Sequence, residues 1–480
     1  GIMGNINWAN SERNGVTTSN ITNAGGQLDY TTLTNINLDD SRFNGFGNFN
    51  FKHSINTTGH ELTADVDFGR FSSANIQDVN NANFNSSGAP LAANSLITDQ
   101  DGMINVQSFK TDYVYPFSKS AKFEAGFKTS FVQSDNDVKF FDIISQQQVL
   151  DPLRSNHFIY NENINALYTS FAKEFKKTDF QIGLRMEHTN TKGNQLATGQ
   201  SFSRGYVNFF PSAVVNQKLS EAHQLSLSFT KRIDRPSYRQ LNPFRIFVDP
   251  YTYVVGDPGL KPVLTYAYEF SHTLKSKYIT TLGYSNSREV ITDVFIQDDV
   301  TKISYQTPAN LQNFDQVNFD VFVPISIKKW LNTTFTGRVF WNKYSSPFLG
   351  GNLVNDYTAF DVRLNNAITI GNGWAAEING FYQSKNAYGL FTIKNLAQVT
   401  AGIQKTSKDK NTTFKLAVSD LFYTNHVAVE VKYQNMDFFT DRTWDSRVAT
   451  ISFSQRFGKN TVTRARQRTG GAEEEKRRAN

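Results

Sequence analysis

The sequence predicts an all-β protein in which one large antiparallel sheet closes into a transmembrane β-barrel. Three observations support this prediction: apolar and polar residues alternate with a period of two, short polar turns alternate with long connections, and large aromatic residues dominate one parity of the strands. A period of two marks a strand with one apolar and one polar face. We therefore expect the apolar face to contact lipid and the polar face to line a lumen.

The alternation is clearest in the stretches 121–131 and 180–188. In the first stretch, Phe127 and Phe131 share one parity and Lys128 has the other. A lysine or arginine on the lipid face near the bilayer midplane would cost about 2–4 kcal/mol, so parity assigns the strand charges to the lumen. The candidate lumen-facing residues are Arg185, Glu187, Arg232, Glu269, Arg338, Asp361, Arg363 and Glu377. We expect most of them to form cross-strand pairs or to contact a plug, and not to bind a solute.

Short polar turns divide the chain into hairpins. They are predicted at Asn56–Gly59, Ser118–Ser120, Lys176–Thr178, Ser220–His223, Ser276–Lys277, Lys328–Lys329, Gly371–Gly373 and Lys408–Asn411. Long loops are predicted at 10–40, 71–102, 135–157, 235–260, 298–310, 344–356 and 424–442. Short turns at one end and long loops at the other are typical of outer-membrane barrels, whose short turns are periplasmic. With a first strand near 2–9 and a last near 443–457, we count about eighteen strands.

Composition excludes several other classes of protein. Hydrophobic residues make up 39% of the 480 residues, yet aromatic residues reach 14%. No apolar run reaches the roughly 18 residues of a membrane-spanning helix, and there is no cysteine for a disulfide framework. The net charge is +6, but residues 458–480 alone hold seven Lys/Arg and three Glu. The basic pI is therefore mostly a property of the tail, and no nucleic-acid partner is predicted.

The loop after Arg232 contains the most specific sequence of the chain. It reads RPSY from Arg235, LNPF from Leu241, DPY from Asp249 and GDPGLKP from Gly256. This pattern resembles the signature of the large outer-membrane β-barrel family of Bacteroidota that is related to TonB-dependent receptors. The family usually has Asn where this chain has Asp257, and Glu where it has Val263. The stretches 60–69, 418–422 and 456–458 are also similar, so the resemblance covers essentially the whole chain.

The resemblance implies a longer protein than the one given. Such receptors have 22-stranded barrels with an N-terminal plug, so about eighteen strands imply that residues 1–457 form a barrel without its first strands and plug. We expect a bacterial outer-membrane protein that contacts lipid, the outer-membrane assembly machinery and, through the missing plug, the TonB complex. Its expected function is energised uptake of a scarce extracellular solute. Siderophore, peptide, glycan and vitamin all fit this expectation.

Two alternatives from other classes remain open. A complete 18-stranded barrel would be a passive porin-like channel. A soluble or surface-attached β-protein could serve in adhesion or as a structural element. The loop motif has two readings as well. Its candidate contacts to a ligand or plug are Arg235, Tyr238, Asn242, Phe244, Asp249, Tyr251 and Tyr253. Proline and glycine also set turns, so we favour a role for these residues in folding the loop.

The chain contains no recognisable catalytic motif. The seven histidines are scattered without metal-ligand spacing, and no Ser/His/Asp set or phosphate loop is present, so no enzyme activity, cofactor or metal is predicted. Phe457 ends the last amphipathic strand and resembles the terminal aromatic residue that the assembly machinery recognises; the simpler interpretation is an interfacial aromatic residue. The polar residues 458–480 are predicted to be a disordered periplasmic tail.

Overall fold

The computed structural model describes residues 1–22, 25–458 and 470–479. The strands in chain order are β1 (Ile2–Thr22), β2 (Leu28–Ser54), β3 (Glu61–Asn85), β4 (Asn94–Ser118), β5 (Ala121–Ile144), β6 (Gln147–Glu174), β7 (Thr178–Gln195), β8 (Ser201–Lys218), β9 (His223–Asp234), β10 (Ile246–Asp249), β11 (Thr252–Val254), β12 (Val263–Leu274), β13 (Tyr278–Asp298), β14 (Ile303–Lys328), β15 (Leu331–Phe348), β16 (Gly351–Gly371), β17 (Trp374–Gln383), β18 (Asn386–Tyr388), β19 (Phe391–Ile393), β20 (Leu396–Thr406), β21 (Thr412–Val418), β22 (Val427–Tyr433), β23 (Met436–Arg442) and β24 (Ala449–Gln455). One helix, α1 (Glu473–Ala479), follows them. The described residues contain no helix that is long and apolar enough to span a membrane.

The wall is a single antiparallel meander. One sheet contains 20 strands, and two of these, β10 and β11, are short strands inside a loop. The other eighteen form the wall, which confirms the predicted count. Neighbours in the chain are neighbours in the sheet, except where β9 pairs with β12, β17 with β20, and β21 with β24. The fold is the transmembrane antiparallel β-barrel type that the sequence predicts.

All eight predicted short turns lie between consecutive wall strands. Most of the predicted long loops, in contrast, are wrong. The ladder between β1 and β2 runs from Ile2↔Phe49 to Thr22↔Leu28, through the predicted loop 10–40, and the 71–102, 135–157, 298–310 and 344–356 regions are also mainly paired strand. In these regions both faces of the strands meet water, so apolar and polar residues no longer alternate and the sequence looks like a loop. The strands still pair, because the ladder needs only backbone N–H and C=O groups. Only 235–260 is mainly a loop, with the short strands β10 and β11 inside it; 424–442 leaves the wall but forms the hairpin of β22 and β23.

The two faces of the wall follow the predicted parity. Phe131 points outward and is 55% exposed, whereas its neighbour Ser130 is 1% exposed on the inner face. Outward aromatic residues also gather near the short turns. The rings of Phe117 and Phe171 lie 6.2 Å apart, and those of Phe171 and Phe180 lie 6.0 Å apart. A row of aromatic rings at this level is typical of a membrane–water interface.

Two apolar clusters fill the end of the barrel opposite the short turns. In the first, residues 235–262, which we call the luminal loop, fold inward so that Tyr238, Leu241 and Phe244 pack against wall residues such as Phe140 and Phe158. In the second, a small sheet of β18, β19, β22 and β23 packs against β13 to β16. The luminal loop therefore belongs to the interior of the barrel.

The tail differs from its predicted disorder in the part that the structure describes. Residues 470–479, which we call the tail segment, form a turn and α1. Within it, Ala472 and Glu475 are fully buried. Acidic residues in the first turn of α1 and basic residues in the last turn match the helix dipole. Residues 459–469 and 480, also predicted to be disordered, lie outside the described residues.

Candidate luminal binding site

Three wall strands bring opposite charges to one level of the lumen. Lys128 on β5 is the ladder partner of Ala166 on β6, and Ala166 is the partner of Glu187 on β7. Because cross-strand partners point to the same face, these residues form a row across the inner wall. The small Ala166 between the two charges leaves space above the wall. Glu162 lies four residues before Ala166 on the same face of β6 and is 4% exposed.

Arg235 connects the wall to the luminal loop and the tail segment. Its guanidinium is buried, with an exposed side-chain fraction of 1%. Nη2 donates to Glu187 and, at 3.1 Å, to Thr189 Oγ1, while Nη1 donates to Glu474 at 2.7 Å. The planar guanidinium suits this bridging role because it donates to two carboxylates in fixed directions. Pro236 follows directly and fixes the backbone φ of the turn into the loop.

Glu162 is the second centre of the site. Its carboxylate accepts hydrogen bonds from Tyr160 at 3.2 Å, from Tyr238 at 3.3 Å, and from both terminal nitrogens of Arg478. The Arg478 Nε donates to the carbonyl of Pro236 at 2.9 Å, and its guanidinium lies 4.4 Å from the centre of the Tyr238 ring. Buried charges need such complete partnering, because an unpaired ion in the interior is strongly destabilising.

A third ion pair completes the site. The Lys128 ammonium lies 2.8 Å from the Glu475 carboxylate, and neither side chain is more than 8% exposed. Lys128, Glu162, Arg185 and Glu187 of the wall and Arg235 of the luminal loop are the barrel charges of what we call the luminal cluster. Its tail charges are Glu474, Glu475 and Arg478.

The pKa values of the tail charges reflect this environment. Burial on its own would raise the pKa of Glu474, but the nearby Arg235 and Arg478 outweigh it and lower that pKa to about 2. Burial likewise works against the charged form of Arg478, and the Glu162 carboxylate reverses the effect, so the pKa of Arg478 is raised. Both groups therefore remain charged at neutral pH.

The seven candidate residues of the loop motif divide into two groups. Arg235 and Tyr238 join the luminal cluster, and both are buried. The other five hold the loop together and against the wall. The Phe244 amide donates to the Asn242 side chain within a turn, and the Asp249 carboxylate accepts from the Ser19 hydroxyl at 2.9 Å. The ring centres of Tyr251 and Tyr30 lie 5.8 Å apart, and those of Tyr253 and Tyr305 stack at 5.1 Å. These contacts support the folding role that the sequence favoured.

The structure does not bring the eight candidate lumen-facing charges together. Arg185 and Glu187 pair with each other in the cluster, and Arg185 also lies over the Tyr168 ring at 5.4 Å. The other six lie on strands β9, β12 and β15 to β17. Arg338 lies 3.4 Å from the Asp320 carboxylate and is the ladder partner of Asp361. Arg363 lies over the Phe381 ring, and Glu377 forms an ion pair with Lys415 at 2.7 Å. Arg232 and Glu269 are exposed. That any of them lines a solute path stays a prediction.

Sequence reasoning missed five of the eight charges of the luminal cluster. Glu162 follows the predicted loop 135–157, and its inner parity on the strand is the one signal in the sequence that points to it. Lys128 was assigned to the inner face but not to a site. Glu474, Glu475 and Arg478 were part of the predicted disordered tail, and no local pattern identifies their partners.

A polar recess lies beside the cluster toward the short turns. It has a volume of about 390 Å³, and its lining includes Lys110, Asp112, Glu124, Tyr168 and Arg185. Lys110 pairs with Asp112 at 2.9 Å, and the Tyr168 hydroxyl donates to the same carboxylate. Nowhere in residues 1–22, 25–458 and 470–479 do three or more acidic or histidine side chains form a group that could hold a metal ion. Phe457 is 90% exposed, and its predicted role in assembly stays a prediction.

Comparison with known proteins supports the fold and identifies the family. The structure is similar to the ferric yersiniabactin uptake receptor FyuA from Yersinia pestis, with 11% sequence identity, coverage of 95% of this chain and 76% of that chain, and a TM-score of 0.55. It is similar to the copper transporter OprC with 9% identity, coverage of 92% of this chain and 74% of that chain, and a TM-score of 0.55. It is also similar to the FrpB iron transporter from Neisseria meningitidis, with 9% identity, coverage of 95% of this chain and 82% of that chain, and a TM-score of 0.51. No curated protein matches the sequence significantly. The model of the outer membrane protein beta-barrel family matches residues 53–454, and the chain therefore belongs to that family of the bacterial outer membrane.

Proposed function

We propose that this barrel is the receptor and conduit of a TonB-dependent transporter, which takes up a scarce solute too large for porins. The family, the polar lumen and the similarity of the fold to two transporters and an uptake receptor support this proposal. The likeness of the luminal loop to the Bacteroidota signature favours an origin in that phylum. The coupling protein would act on an N-terminal plug, which the resemblance implies.

One observation carries the proposal: the luminal cluster fills one level of the barrel with paired, buried charges. Opening a path there requires Arg235, Glu162 or Lys128 to lose a partner. Removing one partner of a buried ion pair typically costs about 3–5 kcal/mol. Thermal motion alone would therefore open the path rarely, whereas an energised pull on a luminal segment would open it on demand.

The barrel needs no chemical step for this role. Its ladder satisfies the backbone hydrogen bonds within lipid, and its outer face provides the apolar surface. We propose that the protein is not an enzyme, which agrees with the transport and receptor roles of its structural relatives.

Single-channel recording tests the proposal against a passive porin. The full-length protein in planar bilayers in KCl is expected to show no steady conductance. The variant Arg338→Gln should behave like the parent, because Arg338 is a half-buried arginine outside the luminal cluster. Steady conductance of the parent protein would contradict energised uptake and favour the porin. Extraction of the protein without detergent would instead favour the adhesion alternative.

A further inference from the structure

We propose that the lumen contains a peptide-binding site and that its resident ligand is the chain's own tail segment, Gly470–Ala479. This goes beyond the proposed function, because energised uptake does not require an internal ligand on the C-terminal side of the barrel. The tail segment is tethered to the end of β24, and it occupies the level of the lumen that a passing solute would have to cross.

Charge complementarity is the first argument. Arg235 and Lys128 of the barrel face Glu474 and Glu475, and the barrel's Glu162 faces Arg478. Because residues three and four apart share a helix face, α1 presents its acidic and basic groups together toward the wall. The two basic residues beside Arg478 also have suitable partners. Arg477 donates to the Asp234 carboxylate at 3.0 Å, and the Lys476 ammonium lies 4.1 Å from the centre of the Phe46 ring.

Close backbone approach is the second argument. Gly470 and Gly471 lie against β3 and β4, where a Cβ on Gly470 would come within 2.7 Å of the Asp67 carboxylate. A Cβ on Gly471 would lie 2.8 Å from the same carboxylate and 3.1 Å from Lys110 Cβ. A side chain at either position fits only if the Asp67 carboxylate moves aside, whereas glycine makes this close approach without that shift. Two consecutive glycines therefore stand where the fit to the wall is tightest.

Backbone contacts are the third argument. The Tyr238 amide donates to the Arg478 carbonyl at 3.3 Å, and the Arg478 side chain returns a bond to the Pro236 carbonyl. Ala472 is fully buried within the same apolar cluster as Tyr238 and Phe46. The luminal loop thus holds the tail segment through main chain and side chain, and the arrangement is specific to a peptide.

The tether is long enough for this placement. Gln455, the last residue of β24, pairs with Thr412, next to the short turn at Lys408–Asn411. Asp67, against which Gly470 lies, is six residues from Glu61, the short-turn end of β3, which is about 20 Å along the strand. Twelve residues from Gly458 to Gly470 span about 40 Å when extended. A tether of this length also maintains a high effective concentration of the ligand.

Disulfide formation tests the docking directly, because the chain has no cysteine of its own. Lys110→Cys with Gly471→Cys places the two Cβ atoms 3.1 Å apart, so an outward shift of about 0.5 Å brings them to the roughly 3.5–4.5 Å of a disulfide. Phe109→Cys with Gly471→Cys is the matched control, because Phe109 precedes Lys110 on β4 and points outward. Under mild oxidation in outer-membrane vesicles, the first pair should form the disulfide at least tenfold faster. Equal rates in the two variants, or no disulfide in either, would overturn the proposal.

Charge exchange tests the recognition. In the Lys110→Cys/Gly471→Cys background, Arg478→Glu should slow disulfide formation at least tenfold, and the further change Glu162→Arg should restore most of the rate. An excess of a synthetic peptide of residues 470–480 should slow disulfide formation in the Lys110→Cys/Gly471→Cys variant without further changes, whereas a scrambled peptide should not. A heat-modifiable gel shift verifies that each barrel is folded. An unchanged rate for Arg478→Glu would overturn ion-pair recognition. These readouts need neither solute nor TonB, so they are independent of transport.

Discussion

Gly256→Ala should release the luminal loop from its folded position without unfolding the wall. An added Cβ would lie 2.3 Å from the Asn242 carbonyl oxygen, 2.5 Å from that of Gln240 and 3.0 Å from that of Arg239. All three obstacles are backbone atoms, so no side-chain rotation relieves the contact. The same turn contains the bond from the Gly256 amide to the Asn242 carbonyl, at 3.0 Å, and the bond from the Asp257 amide to the Gln240 carbonyl, at 2.7 Å.

The expected cost follows from these contacts. Two lost backbone hydrogen bonds contribute about 1–3 kcal/mol, and overpacking a filled site adds about 1–3 kcal/mol. Even the lower total, about 2 kcal/mol, increases local opening roughly 30-fold. Amide hydrogen exchange of peptides from residues 237–262 measures that opening. Gly380→Ala is the control, because a Cβ there meets no heavy atom within 4 Å. Equal exchange of the loop in both variants would refute the reasoning.

Three further outcomes are expected. The docked Glu474 has a pKa of about 2, below its ordinary 4.5, so its contribution to docking is complete above pH 4.5 and is lost as the pH falls toward 2; the amide hydrogen-exchange protection of residues 470–479, corrected for the intrinsic exchange rate at each pH, should follow this curve. Leu364→Arg should cost about 2–4 kcal/mol in urea unfolding from lipid vesicles, and Asn365→Arg, on the inner face, much less. Asp420→Ala removes a buried acceptor of four hydrogen bonds and should increase proteolysis of 419–426, unlike Asp409→Ala in an exposed turn.

The wall was predictable from the sequence because its determinants are local. Parity within a strand separates Phe131 from Ser130, and polar residues such as those at Lys328–Lys329 mark each short turn. These signals gave the strand number and both faces. They failed for the upper hairpins, where β1 and β2 remain paired as far as Thr22 and Leu28 although most of the side chains there are polar. Polarity in that region reports exposure to water and not an end of the ladder.

The contents of the lumen were not predictable in the same way. The contact between Glu162 and Arg478 joins residues 316 positions apart, and Arg235 meets Glu474 across 239 positions. A single sequence carries no local trace of such pairs. The run of three glutamates before Lys476 looks like a solvated tail until the barrel supplies its partners. The folding role assigned to the luminal loop, in contrast, followed from proline, glycine and aromatic residues whose effects on the backbone are local.

The charges of the luminal cluster balance when the tail segment is docked. In the luminal cluster the barrel contributes Lys128, Arg185 and Arg235 against Glu162 and Glu187, a net charge of +1, and Glu474, Glu475 and Arg478 of the tail segment contribute −1. Docking therefore neutralises the site, which lowers the cost of burying its charges. When the tail segment leaves, Glu187 keeps Arg235 and Arg185, and Glu162 keeps two tyrosine hydroxyls.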